Sequence, residues 1–324
     1  MYFHGLTGEG TSPRSSKAVT NQGDTHMNKL STLAVVASAA FAITGVQAQT
    51  ITKVQASGEI AMGVRESSAP LSFTTGNNQF TGYHVELCQA IIDNIGKTVG
   101  KKLNIKYVPV TSQNRIPLTQ NGTVDIECGS TTNNAARQKD VSFAVTTYIT
   151  EVRMVVKAKS GINSISQLNG KTVATTTGTT SVQTLRKHQR AAKANFKELF
   201  GKDHSDSFLL VESGRADAFV MDDNILAGLV ATAKNPKDYK IVGETLSVEP
   251  IAIMIRKDDP GMKKVVDLTI SGMISDGSLN KLYDKWFLKP IPPKNTSVNL
   301  PMGNALKAAL KDPNDKPMEA YAVK

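Results

Sequence analysis

From residue 59 onward, short apolar runs alternate with segments whose apolar positions recur every three or four residues. Glu59–Val64 reads as a buried strand, residues 83–95 place Val85, Cys88, Ile91, Ile92 and Ile95 on one helical face, and residues 103–110 are strand-like again. The same grammar resumes near Val152 and continues through Thr172–Thr176 and residues 216–221. Strand and helix in regular succession predict an α/β fold with largely parallel sheets.

The two halves echo each other. NGTVDIECGS (121–130) aligns without gaps on SGRADAFVMD (213–222); each reads as a helix end, a glycine cap and a strand carrying an aspartate at the same place. SGEIAM (57–62) likewise parallels NGKTVA (169–174). The echo fits two similar lobes, and it also fits the common grammar of α/β units. The apolar run at 251–255, a helix ending at Ser275 and a further segment at 279–287 suit a chain that has returned to the first lobe, making that lobe discontinuous. Prolines 290, 292, 293, 301, 313 and 317 predict a tail that wraps the surface, with one short helix near residues 304–310.

In such sheets ligands sit beyond the carboxyl ends of the strands. The residues expected there are Arg65, Ser112 and Arg115, Ser130, residues 177–181, and Asp222. Nearly all are polar or charged. The span TSQNRIPLTQNGTVDIECGSTTNNAAR (111–137) adds Arg137 and a run of small hydroxyls, which is the composition of an anion-binding pocket. No base stands beside a nucleophile in it, so it does not read as a catalytic centre.

With 324 residues and 40% hydrophobic content, the chain is long enough for two domains and can bury a core. Its net charge of +10 is scattered among 28 acidic residues, with no Lys/Arg run and no basic–aromatic interleaving, so nucleic acid is not an expected partner. From Met27, MNKLSTLAVVASAAFAITGVQAQT has a lysine, an apolar core from residue 30 to 46 and small residues at the cleavage offsets, the pattern of a secretory signal peptide over 27–48. Residues 1–26 read as an upstream mis-start. Cys88 and Cys128 are the two cysteines; a disulfide and a pair of buried thiols both fit the spacing, and an oxidising compartment favours the bond. The dispersed histidines give no metal site.

RESSAP (65–70), TSQNRIPL (111–118), NGTVDIECGSTTNN (121–134), GTTS (178–181), KDHSDSF (202–208), ESGRADAFVMDD (212–223), RKDDP (256–260) and KWFLKPIPPKN (285–295) together resemble the periplasmic glutamate/aspartate-binding proteins of ABC importers, solute-binding protein family 3. The resemblance spans essentially the whole mature chain. It implies a two-lobed periplasmic binding protein fold of type II, with lobe 1 over 49–147 and 250–324, lobe 2 over 148–249, and hinges near 144–152 and 243–251. L-glutamate or L-aspartate would be trapped between the lobes and delivered to the importer's membrane subunits by a monomeric protein without a cofactor.

The resemblance also implies residue roles. Arg137 with Thr132, and amides around Thr180 at a helix start, would grip the α-carboxylate. Asp222 and the Ser130 carbonyl would hold the ammonium. Arg65, Ser112, Arg115 and His204 would form the pocket for the side-chain carboxylate. Taken singly, Arg137 also reads as a solvated helix residue, Asp222 as a helix cap that Asp223 could equally supply, and Arg65 and Arg115 as partners of surface glutamates. An enzyme on the same fold is the rival reading, with Glu66 and Glu127 as its nearest carboxylates; a chemosensory binding protein would share the pocket and differ in its partner.

Overall fold

The computed structural model describes residues 49–321; the signal-peptide and mis-start readings lie outside them. Two five-stranded sheets form the frame. The first runs Asn104–Pro109, Glu59–Val64, Ile126–Glu127, Met254–Arg256, Val141–Phe143; the second runs Lys197–Gly201, Thr172–Thr176, Ala218–Asp222, Tyr148–Lys157, Tyr239–Ile251. In each sheet four strands run the same way and one, Met254–Arg256 in the first and Tyr148–Lys157 in the second, runs against both its neighbours. The expected parallel pairing therefore holds for only part of each sheet. The departures lie where the chain passes between the sheets: Tyr148–Lys157 goes out and Tyr239–Ile251 comes back alongside it, with Tyr148 opposite Ile251 and Tyr239 opposite Lys157. A return path beside an outgoing one must be antiparallel.

The echo between the halves is structural. Gly122 and Gly214 have φ of 77° and 74°, the left-handed conformation that ends a helix most readily at glycine. After them, Asp125 takes the Ala61 amide at 2.9 Å and Asp217 takes the Thr172 amide at 2.8 Å, so each carboxylate ties the start of its strand to the neighbouring parallel strand of its own sheet.

The expected apolar face at 83–95 is buried throughout, and the helix runs on to Val99, where Gly100 (φ 72°) caps it. It packs under the first sheet with Ile60, Met62 and Val64, and a Cys88–Cys128 disulfide fastens it to the end of strand Ile126–Glu127. Strand Ala218–Asp222 is buried on both faces, Ala218 and Val220 in one cluster and Phe219 and Met221 in the other, which accounts for its unbroken apolar run. Near the crossing strands, Tyr148 stacks on Phe287 (4.9 Å) and Phe287 on Tyr283 (4.2 Å), docking the returning chain onto the first sheet. The tail helix is Asn304–Lys311, anchored by buried Leu306 and Ala309.

Candidate functional site

The carboxyl ends of both sheets face a common cleft. Arg65 follows strand Glu59–Val64 and is fully buried. Its Nη2 donates to Asp203 Oδ1 at 2.6 Å and reaches His204 Nε2 at 3.2 Å, and its Nη1 donates to Ser130 Oγ at 3.2 Å. Asp203 caps helix His204–Glu212 of the second sheet, so the ion pair spans the cleft, and Ser67 Oγ joins it at 2.7 Å. Burial alone would raise the Asp203 carboxyl, but Arg65, His204 and Ser67 pull it down to about 2. His204 is held the other way: burial and the neighbouring guanidinium lower it to about 3. An arginine can only donate, so His204 Nε2 accepts and its Nδ1–H faces Thr176 Oγ1 at 3.0 Å. The imidazole is neutral.

Arg115 opens helix Arg115–Gln120 and is 2% exposed, yet neither its Nε nor its Nη1 has a hydrogen-bond partner; Ser112 Oγ, also buried, has none either. Burial, reinforced by Arg137, lowers this guanidinium to about 9, which leaves it charged at neutral pH. Pairing of Arg65 and Arg115 with surface glutamates is thereby overturned. Arg65 meets a buried aspartate from the other side of the cleft, and Arg115 is a cation without an acceptor for those two nitrogens.

At the other end of the cleft, Arg137 donates from Nη1 to the Thr132 carbonyl (2.8 Å) and from Nη2 to the Gly178 carbonyl (3.3 Å), again bridging the two sides. The Thr132 and Thr180 hydroxyls lie 3.3 Å apart, and both donate to Glu249 Oε2 at 2.7 Å, while Ser247 donates to Oε1 at 2.7 Å. Thr180 begins helix Thr180–Ala192, whose first amides have no intrahelical acceptor and present positive charge to the cleft.

Asp222 and Asp223 divide the roles that the sequence left open. Asp223 Oδ1 takes the Asn224 amide (2.8 Å) and the Thr150 hydroxyl (2.8 Å), whereas Asp222, 4% exposed, stands at the cap position without a side-chain capping bond. Burial first, then Glu249 and Asp223, push the Asp222 carboxyl well above its ordinary range, against the pull of Arg115 and Arg137. It is a buried acid suited to a cationic group.

The nine residues singled out in the sequence thus fall into three groups. Arg65, Ser130 and His204 form one network, Ser112 and Arg115 remain unpartnered beside it, and Thr132, Arg137 and Thr180 form another, with Asp222 coupled by charge to Arg115 and Arg137. Sequence reasoning missed Asp203 and Glu249. Asp203 carries only the ordinary signal of a helix cap, and Glu249, in SVEPI, carries none.

The two sides meet closely at Gly178 and Gly228. A Cβ on Gly178 (φ 81°) would stand 2.7 Å from Gln113 Cα, and one on Gly228, inside helix Asp223–Thr232, would stand 2.5 Å from the Ala69 carbonyl oxygen. Both contacts join residues below 145 to residues above 148.

Known proteins share this architecture. The bacterial extracellular solute-binding proteins, family 3, match residues 60–289. The glutamate/aspartate import solute-binding protein of Escherichia coli K12 is 45% identical over 268 residues, covering 82% of this chain and 89% of that protein. The L-glutamate/L-aspartate-binding protein of Pseudomonas aeruginosa is 43% identical over 272 residues, covering 83% and 90%. An ancestral arginine-binding protein bound to arginine superposes with a TM-score of 0.64 at 29% identity, covering 71% of this chain and 98% of its own. With residues 60–289 of 324 matched and this two-sheet frame in common, the chain belongs to the bacterial extracellular solute-binding proteins, family 3.

Proposed function

We propose that this chain binds L-glutamate or L-aspartate in the cleft and delivers it to the membrane subunits of an ABC importer. The observation that carries the reading is Arg115, a buried guanidinium whose Nε and Nη1 lack acceptors beside the equally unpartnered Ser112 hydroxyl. A buried cation of this kind is costly unless an anion meets it. The ligand's side-chain carboxylate supplies that anion, with Arg65, already offset by Asp203, and neutral His204 as further walls of the pocket.

The α-carboxylate lies against Arg137, Thr132 and the first amides of helix Thr180–Ala192; the ammonium lies against Asp222 and the Ser130 carbonyl. The two import proteins at 45% and 43% identity support this choice of ligand. An uncharged amide in place of the side-chain carboxylate leaves Arg115 short of its partner, at a cost of about 2–5 kcal/mol. Glutamine therefore binds far more weakly than glutamate.

Lobe 1 comprises 49–147 and 250–324, lobe 2 comprises 148–249, and a monomer exported to the periplasm by the 27–48 signal peptide closes them over the ligand. Ligand contacts from both lobes favour the closed arrangement, and that difference is what an importer can read. Calorimetric titration of the mature chain with glutamate, aspartate, glutamine and arginine tests this. Both acids should bind tightly and return unchanged by mass spectrometry; equal affinity for glutamine, or turnover of a bound acid, would overturn it.

A further inference from the structure

The match to the family ends at residue 289, yet the chain continues, and its tail returns to the cleft. Residues 314–319 lie along the segment that separates Thr132 from Arg137. The Met318 amide donates to the Asn133 carbonyl at 2.9 Å, and Asn133 Nδ2 donates to the Asp315 carbonyl at 2.8 Å. The Ala135 amide donates to Glu319 at 3.0 Å, and Gln138 Nε2 donates to both Asn133 Oδ1 (2.9 Å) and the Asp315 carbonyl (3.1 Å).

The tail is itself fixed to the first sheet's side. The Thr146 amide donates to the Asn314 carbonyl at 2.9 Å, and Lys263 pairs with Asp315 at 3.0 Å. Met318 and Glu319 also line a cavity with His188, Ser247 and Val248, and Ser247 is one of the hydroxyls that hold Glu249.

We infer that this C-terminal segment is a clamp that positions the α-carboxylate grip. Asn133 is fully buried and forms its side-chain bonds within this clamp, to the tail and to Gln138. Asn134 next to it receives the Arg137 amide at 2.8 Å, so the tail sets the path of the loop and the loop sets the reach of Arg137. A segment of irregular backbone between two gripping groups is otherwise free to sample many conformers, and holding it in one lowers the entropy cost of binding. The inference rests on the assignment of Thr132 and Arg137 to the α-carboxylate.

That chemistry gives the clamp a signature. It touches the part of the ligand that every α-amino acid shares and leaves the side-chain pocket at Arg115 alone. A chain ending at Asn314 should therefore bind glutamate and aspartate each about tenfold to a hundredfold more weakly, with their affinity ratio unchanged. Asn133→Ala, in the full-length chain, should show the same uniform loss if truncation impairs folding.

Calorimetry well below the melting temperature measures the affinities, and amide exchange over residues 131–138 should speed up in both variants. Intact chain that binds the acids while both variants bind equally well would overturn the clamp, as would a shift in the glutamate-to-aspartate ratio. Intact chain that binds neither acid would remove the acidic-ligand reading, and the clamp with it.

Discussion

Arg65 and Asp203 form an ion pair of 2.6 Å across the cleft, joining a strand end of the first sheet to a helix cap of the second. Each is buried, so each charge depends on the other only while the two sides are together. Opening returns both to water. Asp203→Asn keeps a competent helix cap and an acceptor for Ser67 but removes the charge. A buried guanidinium deprived of its carboxylate costs about 3–5 kcal/mol, and that cost falls on the closed arrangement alone. The variant should show a larger radius of gyration by X-ray scattering without ligand and at least about a tenfold loss in glutamate affinity. Unchanged scattering together with unchanged affinity would mean that the pair does not govern closure.

Arg115 makes the opposite kind of prediction, because Nε and Nη1 lack protein acceptors. Arg115→Met fills a similar volume without a charge to desolvate. Thermal stability without ligand should rise, by about 1–3 kcal/mol at the melting temperature, while glutamate affinity falls by about 2–5 kcal/mol. Opposite signs in the two measurements are the mark of a residue kept for its ligand. If melting temperature falls in step with affinity, Arg115 is a structural residue instead.

The frame was legible in the sequence wherever local pattern decides it. The helical face at Val85, Cys88, Ile91, Ile92 and Ile95, the glycine–aspartate echo at Asp125 and Asp217, and the tail helix all follow from spacing and caps. Asp203 and Glu249 were not legible, because neither role exists until distant segments meet. Asp203 lies 138 residues from Arg65 and Glu249 lies 117 from Thr132. The antiparallel pairings escaped for the same reason: only the passage of the chain from one sheet to the other and back sets Tyr148–Lys157 against Tyr239–Ile251.

Gly228 separates folding from closure. It lies inside helix Asp223–Thr232, where alanine is favoured over glycine by about 1 kcal/mol, but a Cβ there would stand 2.5 Å from the Ala69 carbonyl oxygen on the other side of the cleft. The obstacle is backbone and cannot swing aside. Gly228→Ala should thus keep or slightly raise the urea midpoint of the unliganded protein while weakening glutamate binding by about tenfold or more. Affinity equal to the parent would show that the two sides need not approach this closely to hold the ligand.

Two buried histidines should make the fold sensitive to mild acid. His84, fully buried between the Gly129 carbonyl (2.6 Å) and the Thr147 hydroxyl (2.8 Å), is lowered by burial to about 4 despite the opposing pull of that carbonyl; His204 is lowered to about 3. Both folded values lie below the unfolded value of about 6.5, so the unfolded chain takes up protons that the folded one refuses. Their contribution to stability is complete above about pH 6.5 and is lost as pH falls toward about 4 and 3, amounting to about 2 kcal/mol for each residue by pH 5. The buried Asp222 carboxyl, raised by its burial, gains stability as pH falls over the same interval, so the histidine part, about 4 kcal/mol between about pH 7.5 and pH 5 by urea unfolding, is read as the difference from a variant without the two rings. Replacing both residues, His84→Gln with His204→Gln, should remove that part of the pH dependence even where it lowers stability at neutral pH. The same pH dependence in the parent and the double variant would show that these imidazoles are protonated as readily in the folded chain as outside it.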